Sequence, residues 1–238
     1  MRVVVFGDSH TKALSLGWKR IERTGAPDGV DARIFGTIGP ALCKPFFADR
    51  GDHIKLEISG ADPADCRFPP ADEVPGETVY GLLALLHSAR VWRHKQWERY
   101  APLPVSGNVT PVSAALVRRL ALDDQHYMLQ LLDAMLRLKL KVFAIEAPAI
   151  FAHHPLAQSE RRDTVMAVDR IYRAAILAEL ERRKVPVLRL PPESVSEDGF
   201  MEPRYRSNRT NDNHHANSVF GRLLMERMLP FIDGQVRP

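Results

Sequence analysis

The chain opens on Val3-Val4-Val5-Phe6-Gly7-Asp8-Ser9-His10, and the reading of this stretch decides the architecture. Four consecutive apolar residues predict a short strand buried on both faces, the pattern of a parallel sheet. Gly7 breaks the run where a tight turn is needed, and Thr11 to Ile21 predict a helix. Ser9 therefore stands at the carboxyl end of a strand and the amino end of a helix. Ligands of open α/β sheets gather at that edge, and unpaired N–H groups at a helix start stabilise an anion. A strand–Gly–Asp–Ser–helix turn is also what a plain helix N-cap looks like, so the motif needs a partner elsewhere in the chain.

Outward from this turn the chain alternates strands and helices. Ala32 to Phe35 predicts a second strand ending at Gly36, followed by the turn Thr37-Ile38-Gly39-Pro40. His53 to Ser59 alternates polar and apolar residues and predicts an edge strand or hairpin arm. Residues 60–78 are rich in proline and acidic side chains, a surface excursion. Thr78 to Leu86, the most apolar stretch, predicts a central strand. His87 to Tyr100 is aromatic and basic, suited to a partly buried loop or short helix lining a pocket. Ser113 to Leu122 and His126 to Leu140 carry apolar residues at helical spacing. Lys141 to Ile145 predicts a strand, Ser159 to Lys184 a long helix or broken pair, and Val185 to Leu190 a last short strand. A loop over residues 191–213 leads to a terminal helix from Asn217 to Phe231. This order predicts one α/β domain over residues 1–238, a parallel sheet with helices on both faces, and a site-shaping insertion around residues 50–125.

Composition narrows the partners. With 238 residues, 45% apolar and 26% charged, the chain is long enough for one domain with a full core. The net charge of +4 is spread over predicted helix surfaces, and no block of five or six like charges appears. Nucleic acid is therefore not an expected partner. Arg204, Arg206 and Arg209 form a basic loop near the last helix, read either as solvated surface or as contacts for an anionic substrate. Cys43 and Cys66 are far apart and give neither a disulfide scaffold nor a zinc motif. The first strand leaves no room for a signal peptide, and no apolar run approaches the ~20 residues of a membrane helix, so no membrane partner and a cytoplasmic location are expected.

The partner of the first motif lies near the other end, in Asn211-Asp212-Asn213-His214-His215-Ala216-Asn217-Ser218-Val219-Phe220-Gly221. A serine hydroxyl is a poor nucleophile near neutral pH. It needs a base within hydrogen-bond reach, and the base needs a group that fixes its tautomer. Asp212 and His215, three apart on one loop, supply a carboxylate and an imidazole for those two roles. Parallel topology brings this loop to the sheet edge that carries Ser9.

Gly7-Asp8-Ser9 after an N-terminal strand, with Asp212-x-x-His215-x-Asn217 and Gly221 opening the last helix, resembles the SGNH hydrolase superfamily, the GDSL-type lipases and esterases. The resemblance implies a flavodoxin-like, three-layer α/β/α domain and an esterase. Ser9 would be its nucleophile, His215 its general base and Asp212 the orienting carboxylate. It also implies an oxyanion hole built from the Ser9 N–H, a glycine after the second strand and an asparagine in a Gly-x-Asn-Asp turn after the third. Gly39 matches the glycine, with Gly36 as a rival. The asparagine block is missing, since His87-Ser88-Ala89-Arg90 follows the third strand; Arg90 and Asn108 are the substitutes considered.

Three outcomes remain open on the residues. The chain is a hydrolase of carboxylic esters, acetyl esters among them; an O-acyltransferase acting on a glycan; or a non-catalytic module that binds an anion or carbohydrate on the same scaffold. A small-molecule or glycan ester is the expected substrate, met by His10, Arg204 and Arg206. No cofactor and no metal are expected. Asp212, His214 and His215 include ordinary metal-ligand types, but adjacent histidines usually point apart.

Overall fold

The apolar run of the opening stretch forms strand β1 (Arg2–Gly7), whose Val3 to Gly7 are all buried. In the computed structural model, which describes residues 1–59, 62, 65–72, 76–103 and 109–236, β1 is flanked on both sides. It pairs in parallel with β2 (Asp31–Gly36), Val3 opposite Ala32 and Gly7 opposite Gly36. On its other edge it pairs with β3 (Thr78–Leu82), Val3 opposite Val79 and Phe6 opposite Leu82. Strand β4 (Lys141–Ile145) joins β3, and β5 (Val187–Leu188) joins β4, also in parallel. The strand order is β2-β1-β3-β4-β5. Chain direction across the sheet reverses between β1 and β3, the position where open α/β sheets bind ligands beyond their strand ends.

Because successive strand residues point to opposite faces, β1 serves two cores. Val3 and Val5 pack with Val79, with Leu14 and Trp18 of α1 (Thr11–Gly25) and with Phe220 and Leu224 of the last helix, α5 (Ser218–Phe231). Val4 and Phe6 pack on the other side with Tyr80, with Met128 and Leu132 of α3 (His126–Arg137) and with Tyr172 and Ile176 of α4 (Arg162–Arg182). Helix α2 (Ala114–Asp124) precedes α3 after a break at Gln125. The result is a three-layer α/β/α fold.

Helices α1 and α5 cross with their backbones nearly touching. A Cβ on Gly221 would fall 1.8 Å from the Ala13 carbonyl oxygen, and one on Gly17 2.2 Å from the Arg222 nitrogen. Only glycine at both positions allows this approach. The crossing fixes the start of α1, which follows Ser9, against the start of α5, which follows His215.

The structure differs from expectation at several boundaries. The third strand stops at Leu82 instead of Leu86. The Leu83 amide still donates to the Phe6 carbonyl, but β1 itself turns away at Gly7, and beyond that point the ladder has no partner. Leu83 to Leu86 remain buried as a turn. Helix α4 begins at Arg162, and the last strand shrinks to Val187–Leu188. The alternating stretch around Ile54–Leu56 is the middle strand of a small antiparallel sheet, between Phe47–Asp49 and Arg67–Phe68. In the aromatic, basic segment, Trp92 and Trp97 are buried in a third apolar cluster with Val117 and Val165. Among the described residues no helix is long and apolar enough to cross a membrane.

Candidate active site

Ser9 lies in the turn between β1 and α1, and the turn is pinned from below. Asp8, with no exposed surface, accepts the His10 amide through Oδ1 at 3.0 Å and His87 Nδ1–H through Oδ2 at 2.5 Å. Its own carbonyl accepts from the Thr11 amide and the Thr11 hydroxyl. Burial works against the Asp8 charge, but His87, His10 and these hydrogen bonds hold its carboxyl well below the usual carboxylate range. The side chain is therefore an anion that fixes the backbone on either side of Ser9.

His215 and Asp212 are positioned by the start of α5. Asn217 caps that helix, its Oδ1 accepting from the Val219 and Phe220 amides, while its Nδ2 donates to the Arg204 and Arg206 carbonyls. The cap thus ties the preceding loop to the helix end. Within the loop, Asp212 Oδ1 accepts from the His215 amide at 3.0 Å. The two rows of the sheet edge then meet. Ser9 Oγ is 2.8 Å from His215 Nε2, and His215 Nδ1 is 2.9 and 3.0 Å from the two Asp212 oxygens.

Proton accounting assigns the direction of these bonds. Partial burial raises the Asp212 pKa, but the His215 amide and ring and the His214 amide outweigh it and hold the carboxyl well below its ordinary value. Being ionised, Asp212 only accepts, so His215 Nδ1 carries the hydrogen. In the neutral ring Nε2 then has the lone pair, and the Ser9 hydroxyl donates to it. Residues 206 positions apart thus form a hydroxyl–imidazole–carboxylate chain. It opens on a cavity of about 380 Å³ walled by His10, Lys12, Ala13, Leu16, Asn208 and Arg209, among others.

No known protein family matches the sequence, and no curated protein does. Solved structures do resemble it. A protein ascribed to the lipolytic G-D-S-L family of Desulfitobacterium hafniense is 10% identical, with 95% of this chain and 97% of that one covered and a TM-score of 0.51. A protein from Lactobacillus plantarum is 14% identical over 98% of this chain and 96% of its own, with a TM-score of 0.52. An acetyl xylan esterase, AlAXEase, is 14% identical over 98% and 100%, with a TM-score of 0.48. The chain shares the fold of the Desulfitobacterium and Lactobacillus proteins.

Against that fold, the other sequence-derived site residues part ways. His10 lines the cavity beside Ser9 although it is only 2% exposed, and burial pushes its imidazole well below the ordinary pKa. The Ser9 amide has no acceptor among the described residues, leaving it free to meet an anion. Gly36, the rival glycine, lies against the Ser9 turn: a Cβ there would sit 2.5 Å from the Gly7 carbonyl and 2.8 Å from that of Asp8. Gly39 has Arg90 as its neighbour instead, at 3.1 Å from a Cβ position.

Arg90 is engaged away from Ser9. Its Nε and Nη2 donate to Asp124 at 2.8 and 2.9 Å and its Nη1 to the Gly39 carbonyl, so all three nitrogens serve a carboxylate and a loop. Asn108 lies outside the described residues. Arg204 and Arg206 are not among the residues lining the Ser9 cavity. Arg204 donates to the Glu193 carbonyl and stacks on Tyr205, and Arg206 donates to the Thr210 carbonyl. Of that basic loop, Arg209 reaches the cavity.

Sequence reasoning missed His87, whose ring joins Asp8 to His10, with 3.0 Å between the Nε2 atoms of His87 and His10. The signal available was its place directly after the third strand, where the GDSL pattern has its polar block. Two groups of metal-ligand type occur among the described residues, Asp8–His10–His87 and Asp212–His214–His215, each with ligand atoms within 4.8 Å of one another.

Proposed function

We propose that the protein is a serine hydrolase of SGNH type that cleaves small carboxylic esters through an acyl-enzyme. The observation that carries this reading is the 2.8 Å approach of Ser9 Oγ to His215 Nε2 with Asp212 behind the ring. Ser9 Oγ attacks the acyl carbon while His215 Nε2 takes its proton, and the Asp212 carboxylate stabilises the imidazolium that forms. The carbonyl oxygen becomes an oxyanion facing the Ser9 N–H at the start of α1. His215 returns the proton to the departing alcohol, leaving an ester on Ser9. Water then gives a proton to His215, its oxygen attacks the acyl carbon, and the acid leaves as Ser9 Oγ takes the proton back.

The cavity supports a short acyl group and a polar or anionic alcohol. Ala13 and Leu16 give an apolar wall, and Lys12, Asn208 and Arg209 give hydrogen-bond donors. Its volume of about 380 Å³ falls in the range of small-molecule sites. Without the asparagine donor of the GDSL pattern, turnover is expected to be slower by roughly 10²–10³-fold than with a complete oxyanion hole.

Hydrolysis of p-nitrophenyl acetate tests the reading. Release of p-nitrophenol by the wild type, absent in both Ser9→Ala and His215→Ala, is the expected result. Equal release by wild type and Ser9→Ala removes Ser9 as the nucleophile.

A further inference from the structure

Half-buried arginines in this chain are paired, with one exception. Among the described residues, Arg2, Arg67, Arg90, Arg161, Arg173 and Arg183 each reach a carboxylate, and Arg206 reaches a backbone carbonyl. Arg93 reaches neither. Its Nε is buried without an acceptor, and Nη1 and Nη2, which keep some exposed surface, have none either. A charge withdrawn from water ordinarily comes with a partner, because the withdrawal is costly. Burial works against the charge at Arg90 and Arg173 as well, but their carboxylates raise both pKa values; at Arg93 burial prevails over Asp212 and the pKa falls.

This unpaired cation stands beside the Ser9 site. Its guanidinium carbon lies over the Trp92 ring, 5.1 Å from the ring centre. Trp92 meets His154 edge-on at 4.8 Å, and the two rings wall a small chamber together with His10, Asn213 and His214. His10 also walls the Ser9 cavity, so the two spaces share a partition. The His214 ring lies against that of His215, with centres 3.8 Å apart. Burial first, and then Arg93, lower the His154 and His214 pKa values to about 4, so both rings are neutral near pH 7 and Arg93 supplies the positive charge on this side. His154 Nδ1 accepts from the Leu156 amide, which leaves a hydrogen on Nε2 of the neutral ring as a further donor. The carboxylate that acts on Arg93, Asp212, has both oxygens engaged by the His215 ring.

We propose that Arg93 is a specificity-determining residue that pairs, through the end-on fork of Nη1 and Nη2, with a carboxylate carried by the ester substrate. A carboxylate matches that fork, since its two oxygens meet two N–H groups in one plane. It also supplies the acceptor that the fold withholds. Lys12 and Arg209, in the wall of the Ser9 cavity, add to the positive surroundings and favour the approach of an anion. That the anion is part of an ester rests on the hydrolase reading of Ser9; the anion site itself does not. The carboxylate belongs to either the acyl or the alcohol half, and the assay separates the two.

For the acyl half, 4-nitrophenyl hydrogen adipate is compared with 4-nitrophenyl hexanoate; for the alcohol half, 4-acetoxybenzoate is compared with its methyl ester. The readout is the ratio of kcat/KM, anionic over neutral, which a general loss of folded enzyme leaves unchanged. In the wild type one of the two ratios is expected to exceed unity at low salt and to decline as salt screens the pair. Arg93→Gln is expected to lower that ratio by at least about 10-fold, the size of a lost hydrogen bond between charged groups. Arg93→Lys, which keeps the charge without the fork, is expected to lower it less. Independently of turnover, adipate and 4-hydroxybenzoate are titrated by calorimetry into Ser9→Ala and into Ser9→Ala combined with Arg93→Gln. Binding of one of them to the first protein, weaker by at least about 10-fold in the second, is the expected result. If no ester is cleaved but carboxylate binding depends on Arg93, the hydrolase reading falls and the anion site stands. Ratios that are the same in the wild type and Arg93→Gln, or, where no ester is cleaved, carboxylate binding that is absent or independent of Arg93, overturn the proposal.

Discussion

Asp212 and Asp8 are both depressed carboxylates, yet they do different work on either side of Ser9. Asp212 fixes which nitrogen of His215 carries the hydrogen, whereas Asp8 fixes the backbone of the turn. Replacing Asp212 by Asn keeps the shape but offers an amide that donates as well as accepts, so His215 is no longer held with its lone pair toward Ser9. Ester cleavage by Asp212→Asn is expected to fall by about 10⁴-fold, as where this tautomer control has been removed in serine proteases. Steady-state kinetics on p-nitrophenyl acetate, with kcat falling far more than KM rises, checks it. Ser9, Asp212 and His215 were legible in the sequence because each is a chemistry-bearing residue at the border of a recognisable element. His87 was not, because the border it follows is invisible in an unbroken apolar run. Nothing in Leu82 to Leu86 marks where the ladder ends; the departure of β1 at Gly7 does. The engagement of Arg204 and Arg206 was equally hidden, since their acceptors are backbone carbonyls placed by the path of the loop.

At the level of elements, the two ends of the chain meet because α1 and α5 cross at Gly17 and Gly221. A methyl group on Gly221 has nowhere to go, as it would fall on the Ala13 carbonyl. Gly221→Ala is expected to lower stability by ~3 kcal/mol, through separation of two packed helices. Esterase activity should fall with it even below the melting transition, because the start of α5 would carry His215 away from Ser9. Denaturant unfolding and activity measured on the same sample test the coupling. A stable Gly221→Ala variant with full activity would show that the crossing does not set the site. The alternation of β1 was readable from four residues, and so was the parallel sheet. The crossing was not, since a glycine in a helix pattern does not reveal what it touches.

The molecule as a whole carries a second buried polar network far from Ser9 in role. Tyr172 donates to Asp124 at 2.6 Å, Gln125 donates to the Tyr172 oxygen, and Arg90 forks onto the same carboxylate. Burial first, and then the neighbouring Asp124, push the Tyr172 pKa well above 10. A folded pKa raised above the unfolded value makes a contribution that is complete below about pH 10 and lost as pH rises past it, because the unfolded phenol then ionises and the folded one does not. Unfolding midpoints in urea are therefore expected to decline between pH 9 and pH 11, and to decline less in Tyr172→Phe. At pH 8 that variant should be less stable by about 1–3 kcal/mol, the cost of a lost buried hydrogen bond to a charged group. An identical alkaline slope in both proteins would assign the loss to other groups.

The convergence of Ser9, His215 and Asp212 into one proton relay is tested most directly by covalent capture. The protein is treated with a fluorophosphonate, and the intact mass and the peptide carrying Ser9 are read by mass spectrometry. One adduct on Ser9, absent in His215→Ala and formed much more slowly in Asp212→Asn, is the expected result. Labelling of Ser9 at the same rate without His215, or no labelling of the folded wild type, would contradict the relay.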